Sequence, residues 1–203
     1  MNDAYATEWR KAMEEEMEEI WRQQTYRLVP CPDGVNPIGS RWVFKTKWVK
    51  DPNDSNGSKS YVIERRKARW VATAHSCKKG KDYNNAYSYT VNFHSVRAII
   101  CRAMYYALRL NIYSIDFKNF YLQGRLKEAG EKLQYVKQPQ GFECKGKEDY
   151  VCECHGSLYG LPPAGRVAQF RLIKVATTKA NMIQNATDPM VFSSYYRRIA
   201  VRR

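Results

Sequence analysis

The stretch "SIDFKNFYLQG", residues 114–124, places an isolated acid, Asp116, at the end of a short apolar run. The preceding "IYSID" has the character of a strand, so we expect Asp116 at a strand end, where loops and ligands meet. An Asp in this position is ordinarily a turn or capping residue. It acts as a metal ligand only in a particular context, which the surrounding sequence has to supply.

The segment before this run, "HSVRAIICRAMYYALRLN" (residues 94–111), has the periodicity of a helix. Its apolar residues recur at steps of three and four, which predicts a helix lying against a sheet. These residues are Val96, Ile99, Ile100, Ala103, Ala107 and Leu110.

Further upstream, two β-rich runs, "SRWVFKTKWV" (residues 40–49) and "YVIERRKARWVA" (residues 61–72), predict a hairpin. The connection "KDPNDSNGSKS" contains the pair Asn56-Gly57, a strong turn signal. We therefore expect a β-hairpin with a long tip.

Alternation along these strands sorts their side chains onto two faces. Trp42, Phe44 and Trp48 would share one face of the first strand. The other face would carry cations, as would one face of the return strand: Lys45, Lys47, Arg65, Lys67 and Arg69. If both rows lie on one side, five cations with no acid between them form a surface suited to phosphate oxygens. The alternative is an ordinary solvated strand face.

The chain begins with an amphipathic pattern from Asp3 to about Gln24, which predicts a helix. Its apolar stripe is Trp9, Met13, Met17, Ile20 and Trp21. The loop-like "PCPDGVNPIG" follows at residues 30–39. We assign residues 1–24 to an N-terminal helix and residues 25–203 to the main domain.

Composition favours a nucleic acid partner. The 203 residues carry 34 Lys and Arg against 20 Asp and Glu, a net charge of +14, and 44% hydrophobic residues support a real core. No apolar run approaches the roughly 20 residues of a membrane helix, and the first residues lack targeting character. We expect an intracellular protein, cytoplasmic or nuclear, with no membrane partner and with free thiols at its six Cys.

The order of several strings then identifies a family. They are "WRKAMEEEMEEIWRQQTYRLVPCPDG", "IGSRWVFKTKW", "RRKARWVA", "GKDYNNAYS", "SIDFKNFYLQGRLKE", "VKQPQGF", "YVCECHGSLYGL" and "TDPMVF". In this order and spacing, they resemble the reverse transcriptase domain of copia-type retrotransposons over nearly the whole chain. The resemblance implies an α+β fold with right-hand polymerase-like fingers and the first part of the palm, an antiparallel sheet with packed helices.

The resemblance also implies a site. Asp116 matches the acid that binds two Mg²⁺ ions, with the backbone carbonyl of Phe117 as a further ligand. Oxygen ligands suit this hard cation, and the paired ions would align primer hydroxyl and triphosphate. Tyr121 matches the aromatic that excludes a ribose 2′-OH. The alternative is an ordinary core aromatic, and the spacing from Asp116, which is the one that the family uses, favours the matched role.

Other matches concern the substrate. Lys67 and Arg69 resemble the finger cations that bind the triphosphate of an incoming deoxynucleotide, and Gly160 resembles a glycine that allows backbone to approach nucleotide and template. The implied partners are an RNA or DNA template with its primer, and the implied reaction is RNA-directed DNA synthesis with Mg²⁺.

Some positions depart from the family. Phe120 stands where a small Ala is usual, and Pro162-Pro163 replace a Lys and a Gln, with the loss of two backbone donors. Gly165 replaces a Pro, and Ala168 replaces a common Trp. These changes predict a narrowed pocket and relaxed constraint.

The family's next palm hairpin carries two adjacent acids, and this sequence contains no Asp-Asp pair. Asp149 and Asp188 lie in other family strings, so neither is a substitute. We therefore expect a truncated, catalytically inactive copy, whose uncovered palm edge favours self-association. The alternatives are a non-catalytic basic module that binds nucleic acid, and a transposon relic without a cellular role.

A zinc site is the rival reading of "CKGKEDYVCECH", which contains Cys144, Cys152, Cys154 and His155. Their spacing fits no common zinc pattern, and the family resemblance explains the segment better.

Overall fold

The computed structural model describes residues 5–51, 60–105 and 111–194. Within these residues the helices are α1 (Ala6–Arg22), α2 (Phe93–Tyr105) and α3 (Ala164–Thr178). The strands are β1 (Tyr26–Pro30), β2 (Ser40–Lys50), β3 (Tyr61–Ala72), β4 (Gln134–Lys137), β5 (Tyr150–Cys154), β6 (Ile183–Gln184) and β7 (Phe192–Ser193). Short 3₁₀ turns cover Ala74–Ser76, Phe120–Gln123 and Lys127–Ala129. The chain is thus α+β, with antiparallel pairing between its strands.

Strands β2 and β3 form the predicted hairpin, paired from Ser40↔Ala72 to Lys50↔Tyr61. The register shifts between Lys47 and Trp48. Beyond this irregularity Trp48 is 58% exposed, so it does not join Trp42 and Phe44 in the packed face. The tip with Asn56-Gly57 lies outside the described residues.

A second sheet has the order β1-β5-β4. Cys154 of β5 lies opposite both Tyr26 and Gln134. The loop before β2 joins this sheet to the hairpin, because Ile38 N–H donates to the Tyr135 carbonyl and Lys137 N–H donates to the Ile38 carbonyl, both at 2.8 Å.

Helix α1 packs against β3, as its apolar stripe predicts. Met17 and Ile20 are fully buried, whereas Trp21 is 54% exposed. Each of the two buried side chains contributes about 1.5–3 kcal/mol by leaving water. They share one core with residues of the hairpin, the second sheet and the segment after Asp116, including Trp70, Leu122, Leu126, Val136, Cys152, Leu158 and Val167.

Helix α3 packs on the 3₁₀ turn Phe120–Gln123. The close approach requires Gly124, because a Cβ there would lie 2.7 Å from a methyl carbon of Val167 and 2.9 Å from the Ala168 backbone nitrogen. Ala168, which stands where the family often has Trp, is buried at this contact.

The expected packing of α2 against a sheet is wrong for the described part of the chain. Of that helix only Ala103 is buried, while Ile99 is 53% and Met104 68% exposed. Periodicity reports an apolar stripe and does not report what covers it. In the described residues no helix is both long and apolar enough to cross a membrane.

Candidate functional site

The hairpin register places the predicted cations on one face. Lys45 lies opposite Lys67, and Lys47 lies opposite Arg65. Directly opposed residues of an antiparallel pair project to the same side. Arg69, two residues after Lys67, follows on that side opposite Val43. We call Lys45, Lys47, Arg65, Lys67 and Arg69 the basic face.

The expectation that no acid lies among these cations is wrong, because α1 brings Glu16 to the basic face. Glu16 is only 8% exposed, and the backbone N–H of Trp70 donates to its carboxylate. Its Oε1 atom is buried without a hydrogen-bond partner in the described structure. Burial raises the pKa of Glu16, and Lys67 and Arg69 oppose that rise.

Lys67 is influenced in return. Burial and the neighbouring Arg69 lower the pKa of Lys67, whereas Glu16 raises it. The basic face is therefore a coupled set of charges rather than a row of independent solvated cations. The sequence offered a weak signal for Glu16, since it follows the buried Ala12 by four residues and precedes Met17.

The predicted strand ending at Asp116 is not formed. Residues 111–117 have no regular structure, and Ile112 and Ile115 are 65% and 77% exposed. A strand requires a partner for its backbone groups, and no described segment pairs with this one. Asp116 is thus an exposed residue of a segment without regular structure.

Asp116 nevertheless lies with other predicted site residues. Asp116, Phe117, Phe120 and Tyr121 line a cleft of about 420 Å³ whose other walls come from α3 and residues 88–90. Tyr121 is 42% exposed, so it is not an ordinary core aromatic. The Phe120 ring, which we expected to narrow the pocket, lines the cleft between Phe117 and Tyr121, with ring centroids 6.0 and 5.8 Å away.

An aromatic contact joins the cleft to the basic face. The rings of Tyr121 and Tyr159 lie 5.7 Å apart, and the Arg69 guanidinium lies over the Tyr159 ring, 5.0 Å from its centroid. A smaller cleft of about 160 Å³ is lined by Lys67 and Lys118, among others. The structure therefore brings the cations of β3 beside the segment that carries Asp116. Sequence reasoning missed Tyr159, which stands in "LYGL" beside Gly160.

Gly160 has φ +84°, and its backbone approaches the end of β3. The Ala72 N–H donates to the Tyr159 carbonyl at 2.8 Å. This packing alone requires glycine at position 160. Contact with nucleotide or template stays a prediction.

The Pro162-Pro163 pair stands immediately before α3, where Val167 N–H donates to the Pro163 carbonyl at 2.9 Å. Amide donors at a helix start have no partner within the helix. The loss of two donors is therefore inexpensive at this place.

Other carboxylates near the cleft have structural partners. Asp188 accepts hydrogen bonds from Asn92 N–H at 2.9 Å and Met190 N–H at 3.2 Å. Hydrogen bonds from the Ser95 side chain and the Asn92 backbone hold the pKa of Asp188 below its usual range. Among the described residues, Asp116 is the one acid that lines the cleft.

This donor set does not fit two Mg²⁺ ions. One carboxylate and the nearby Phe117 carbonyl are too few protein ligands to hold a pair of ions that must also bind substrate phosphates. In the described parts of the chain, no group of three or more His, Cys, Asp or Glu residues could hold a metal.

The residues of the alternative zinc site differ in how deeply they are buried. Cys152 and Cys154 are core residues of β5, and Cys144 is exposed in a loop. Burial raises the pKa of Cys152 to about 12 and that of Cys154 further. His155 Nε2 lies 2.8 Å from a Glu153 carboxylate oxygen.

Comparison with known proteins agrees with the order of motifs. Residues 23–200 match the family described as reverse transcriptase (RNA-dependent DNA polymerase). The chain is 35% identical over 182 residues, 90% of its length, to the retrovirus-related Pol polyprotein from transposon TNT 1-94 of Nicotiana tabacum. It is 30% and 31% identical over 185 residues, 91% of its length, to the Pol polyproteins from transposons RE2 and RE1 of Arabidopsis thaliana.

The chain spans 12% of the length of each of these relatives. No solved structure matches it.

Proposed function

The chain belongs to the reverse transcriptase family of copia-type retrotransposon Pol polyproteins, and from this premise we propose that it forms the fingers and first part of the palm of an RNA-directed DNA polymerase. Its task in that arrangement is to hold template, primer and incoming deoxynucleotide. The observation that carries the proposal is the basic face and its aromatic connection to the Asp116 cleft.

Each predicted residue has a role consistent with its place. Lys67 and Arg69, on the strand beside the cleft, are suited to triphosphate oxygens, because cations bind phosphate through charge-assisted hydrogen bonds. Lys45, Lys47 and Arg65 extend the same face and would contact the phosphate backbone of template or primer.

Inside the cleft, Tyr121 would exclude a ribose 2′-OH, since its ring is accessible and is supported by Phe120 and Tyr159. Asp116 and the Phe117 carbonyl would contribute oxygen ligands to Mg²⁺ only in a site completed by further carboxylates, since alone they are too few to hold the two ions. Gly160 would act indirectly, by allowing Tyr159 to dock beside Arg69.

We further propose that the 203-residue polypeptide does not polymerise by itself. Asp116 is the one acid that lines the cleft among the described residues. Asp188 accepts a hydrogen bond from the backbone N–H of Asn92, immediately before α2. A non-catalytic nucleic-acid-binding module is the second candidate function. It is favoured by the same observation, that Asp116 is the one acid lining the cleft among the described residues.

Binding of nucleic acid by the basic face is tested by a salt titration with single-stranded RNA and duplex DNA. Each phosphate contact contributes about 0.7 to the slope of log K against log salt on single strands. Lys45→Ala/Lys47→Ala, which removes two of the cations assigned to the template or primer backbone, should lower the slope by about 1.4. Lys145→Ala/Lys179→Ala removes the same charge from exposed sites away from the hairpin and should leave the slope nearly unchanged. Equal slopes for both double variants would reject the proposed role of the basic face.

A further inference from the structure

Two tyrosines expose their rings at the rim of the cleft without a role in the core. Tyr87 is 63% and Tyr89 is 50% exposed. Their ring centroids are 5.1 Å apart at an interplanar angle of 84°, so the edge of one ring meets the face of the other. Such an arrangement leaves aromatic surface open to a planar ligand.

Side-chain hydrogen bonds hold the backbone of both tyrosines. Gln169 of α3 accepts the Tyr89 N–H at 2.8 Å and donates to the Tyr89 carbonyl at 2.7 Å. The Asn85 side chain accepts the Tyr87 N–H at 3.0 Å. Gln169 is itself buried, which anchors the segment to α3. A ligand that stacked here would have little backbone to order, and preorganisation favours affinity.

The tyrosine pair borders the proposed substrate site. Tyr89 lines the same cleft as Asp116, Phe117 and Tyr121. A strand that passed over the pair would therefore enter the cleft directly.

The cations on the described part of the segment that follows the tyrosine pair are Arg97 and Arg102 of α2. The acids that contact this segment, Glu131 and Asp188, accept hydrogen bonds from the backbone N–H groups of Asn84, Asn85 and Asn92. Arg97 lies on the exposed helix α2, where its guanidinium covers the Phe93 ring at 4.3 Å from the centroid. An acidic protein segment is a weaker fit, because aromatic rings offer it no specific contact.

We propose that Tyr87 and Tyr89 form a stacking site for an unpaired nucleobase of a single-stranded polynucleotide at the entrance to the Asp116 cleft. Base stacking on aromatic side chains tolerates any sequence, because every base has a π face. The site rests on the proposed function, since it needs a strand held by the basic face. It adds a contact that is neither to phosphate nor to the nucleotide substrate.

The test pairs a protein change with a ligand change. Binding of the full chain is measured with single-stranded oligonucleotides, RNA and DNA, that are either intact or abasic in the centre. The variants are Tyr87→Ala/Tyr89→Ala and the ring-preserving Tyr87→Phe/Tyr89→Phe. Loss of one stacked base should weaken wild-type binding by about 5- to 150-fold.

We expect the Ala pair to lose this preference for intact strands, with an unchanged salt slope, and the Phe pair to keep it. An Ala pair that still prefers intact strands would overturn the stacking site and would leave the proposed phosphate binding by the basic face unaffected. A wild type that binds neither strand would overturn both. An RNA preference that disappears in the Ala pair would show discrimination through the sugar and also overturn stacking as the mechanism.

A second measurement on unmodified protein covers the case in which the Ala pair does not fold. A strand carrying 5-iodouracil is photocrosslinked to the wild-type chain and the adduct is mapped. An adduct at Tyr87 or Tyr89 supports the site, and adducts confined to other residues contradict it.

Discussion

The carbonyl oxygen of Ala72 lies where a side chain at Gly160 would begin, because a Cβ at that position would be 2.1 Å away. The turn that carries Gly160 is thereby docked on the end of β3. Tyr159 is held next to Arg69 by the same contact. The contribution of this contact to stability can be measured separately from its contribution to function.

Gly160→Ala should destabilise the fold by at least about 1–3 kcal/mol, the cost of a non-glycine residue in a strained conformation, with the clash added. Gly34→Ala is the matched control, since Gly34 has φ +73° and no atom within 4 Å of its Cβ position. Urea unfolding of both variants measures the difference. Equal destabilisation would show that the contact with Ala72 is unimportant.

Glu131→Ala should cost about 3 kcal/mol, near the lower end for breaking a buried ion pair. The Glu131 side chain is fully buried and accepts hydrogen bonds from Asn84 N–H, Asn85 N–H and Arg166 Nη1, whereas the Arg166 side chain remains 32% exposed. Glu128→Ala breaks the exposed pair with Lys174 and should cost no more than about 1 kcal/mol. A similar loss in both variants, by chemical denaturation, would refute this assignment.

Glu16→Gln should remove one component of the pH dependence of stability. The pKa of Glu16 is raised above its ordinary value of 4.5, so the folded state binds more protons than the unfolded state in the window above that value. Its contribution to the free energy of unfolding is therefore present below 4.5 and is lost as pH rises through the folded pKa.

The measurement is the difference in free energy of unfolding between wild type and Glu16→Gln across this window. Carboxyls with lowered pKa values, Glu128, Glu148, Glu153 and Asp188, act below their ordinary values and cancel in the comparison. We expect the wild type to lose stability relative to the variant as pH rises. A difference that is flat or of opposite sign would contradict the raised pKa of the buried Glu16 carboxyl.

The isolated polypeptide should self-associate through the exposed apolar side of α2. Ile100 and Met104, four residues apart and therefore on one side of the helix, are 41% and 68% exposed, and exposed apolar patches of this kind favour association. Ile100→Lys/Met104→Lys should reduce the average mass in sedimentation equilibrium at low micromolar concentration. A monomeric wild type would refute this expectation.

Local patterns predicted local structure well. The hairpin and the sharing of one face by its cations follow from alternation and a turn signal, which depend on neighbours in sequence. The helix α1 and the burial of Met17 and Ile20 in its stripe are confirmed for the same reason, whereas Trp21 of the stripe is exposed. The burial of individual side chains by other elements was not predictable in this way. Glu16 stands among acidic residues of α1, as a residue of a solvated helix face would, and it is buried only because α1 crosses β3.

The segment 111–117 shows the complementary limit. Its composition favours a strand, but a strand exists only with a partner, and none of the described residues supplies one. The motif order still indicated that Asp116 and Tyr121 lie together, since they are five residues apart on a segment fixed by the buried Leu122. Tyr87 and Tyr159 stand within quoted family strings, but the strings did not indicate their contacts. Those contacts come from tertiary packing, of Tyr159 on the end of β3 and of Tyr89 on Gln169 of α3.

The most direct test is primer extension by the 203-residue polypeptide on RNA and DNA templates with Mg²⁺ and deoxynucleotides, alongside Asp116→Asn. Nucleic acid binding measured in the same samples verifies that the protein is competent. We predict salt-sensitive binding, no extension on either template, and no appreciable effect of Asp116→Asn on affinity. Mg²⁺-dependent incorporation that disappears in Asp116→Asn would contradict the account, because a complete catalytic site would then have to exist around this carboxylate.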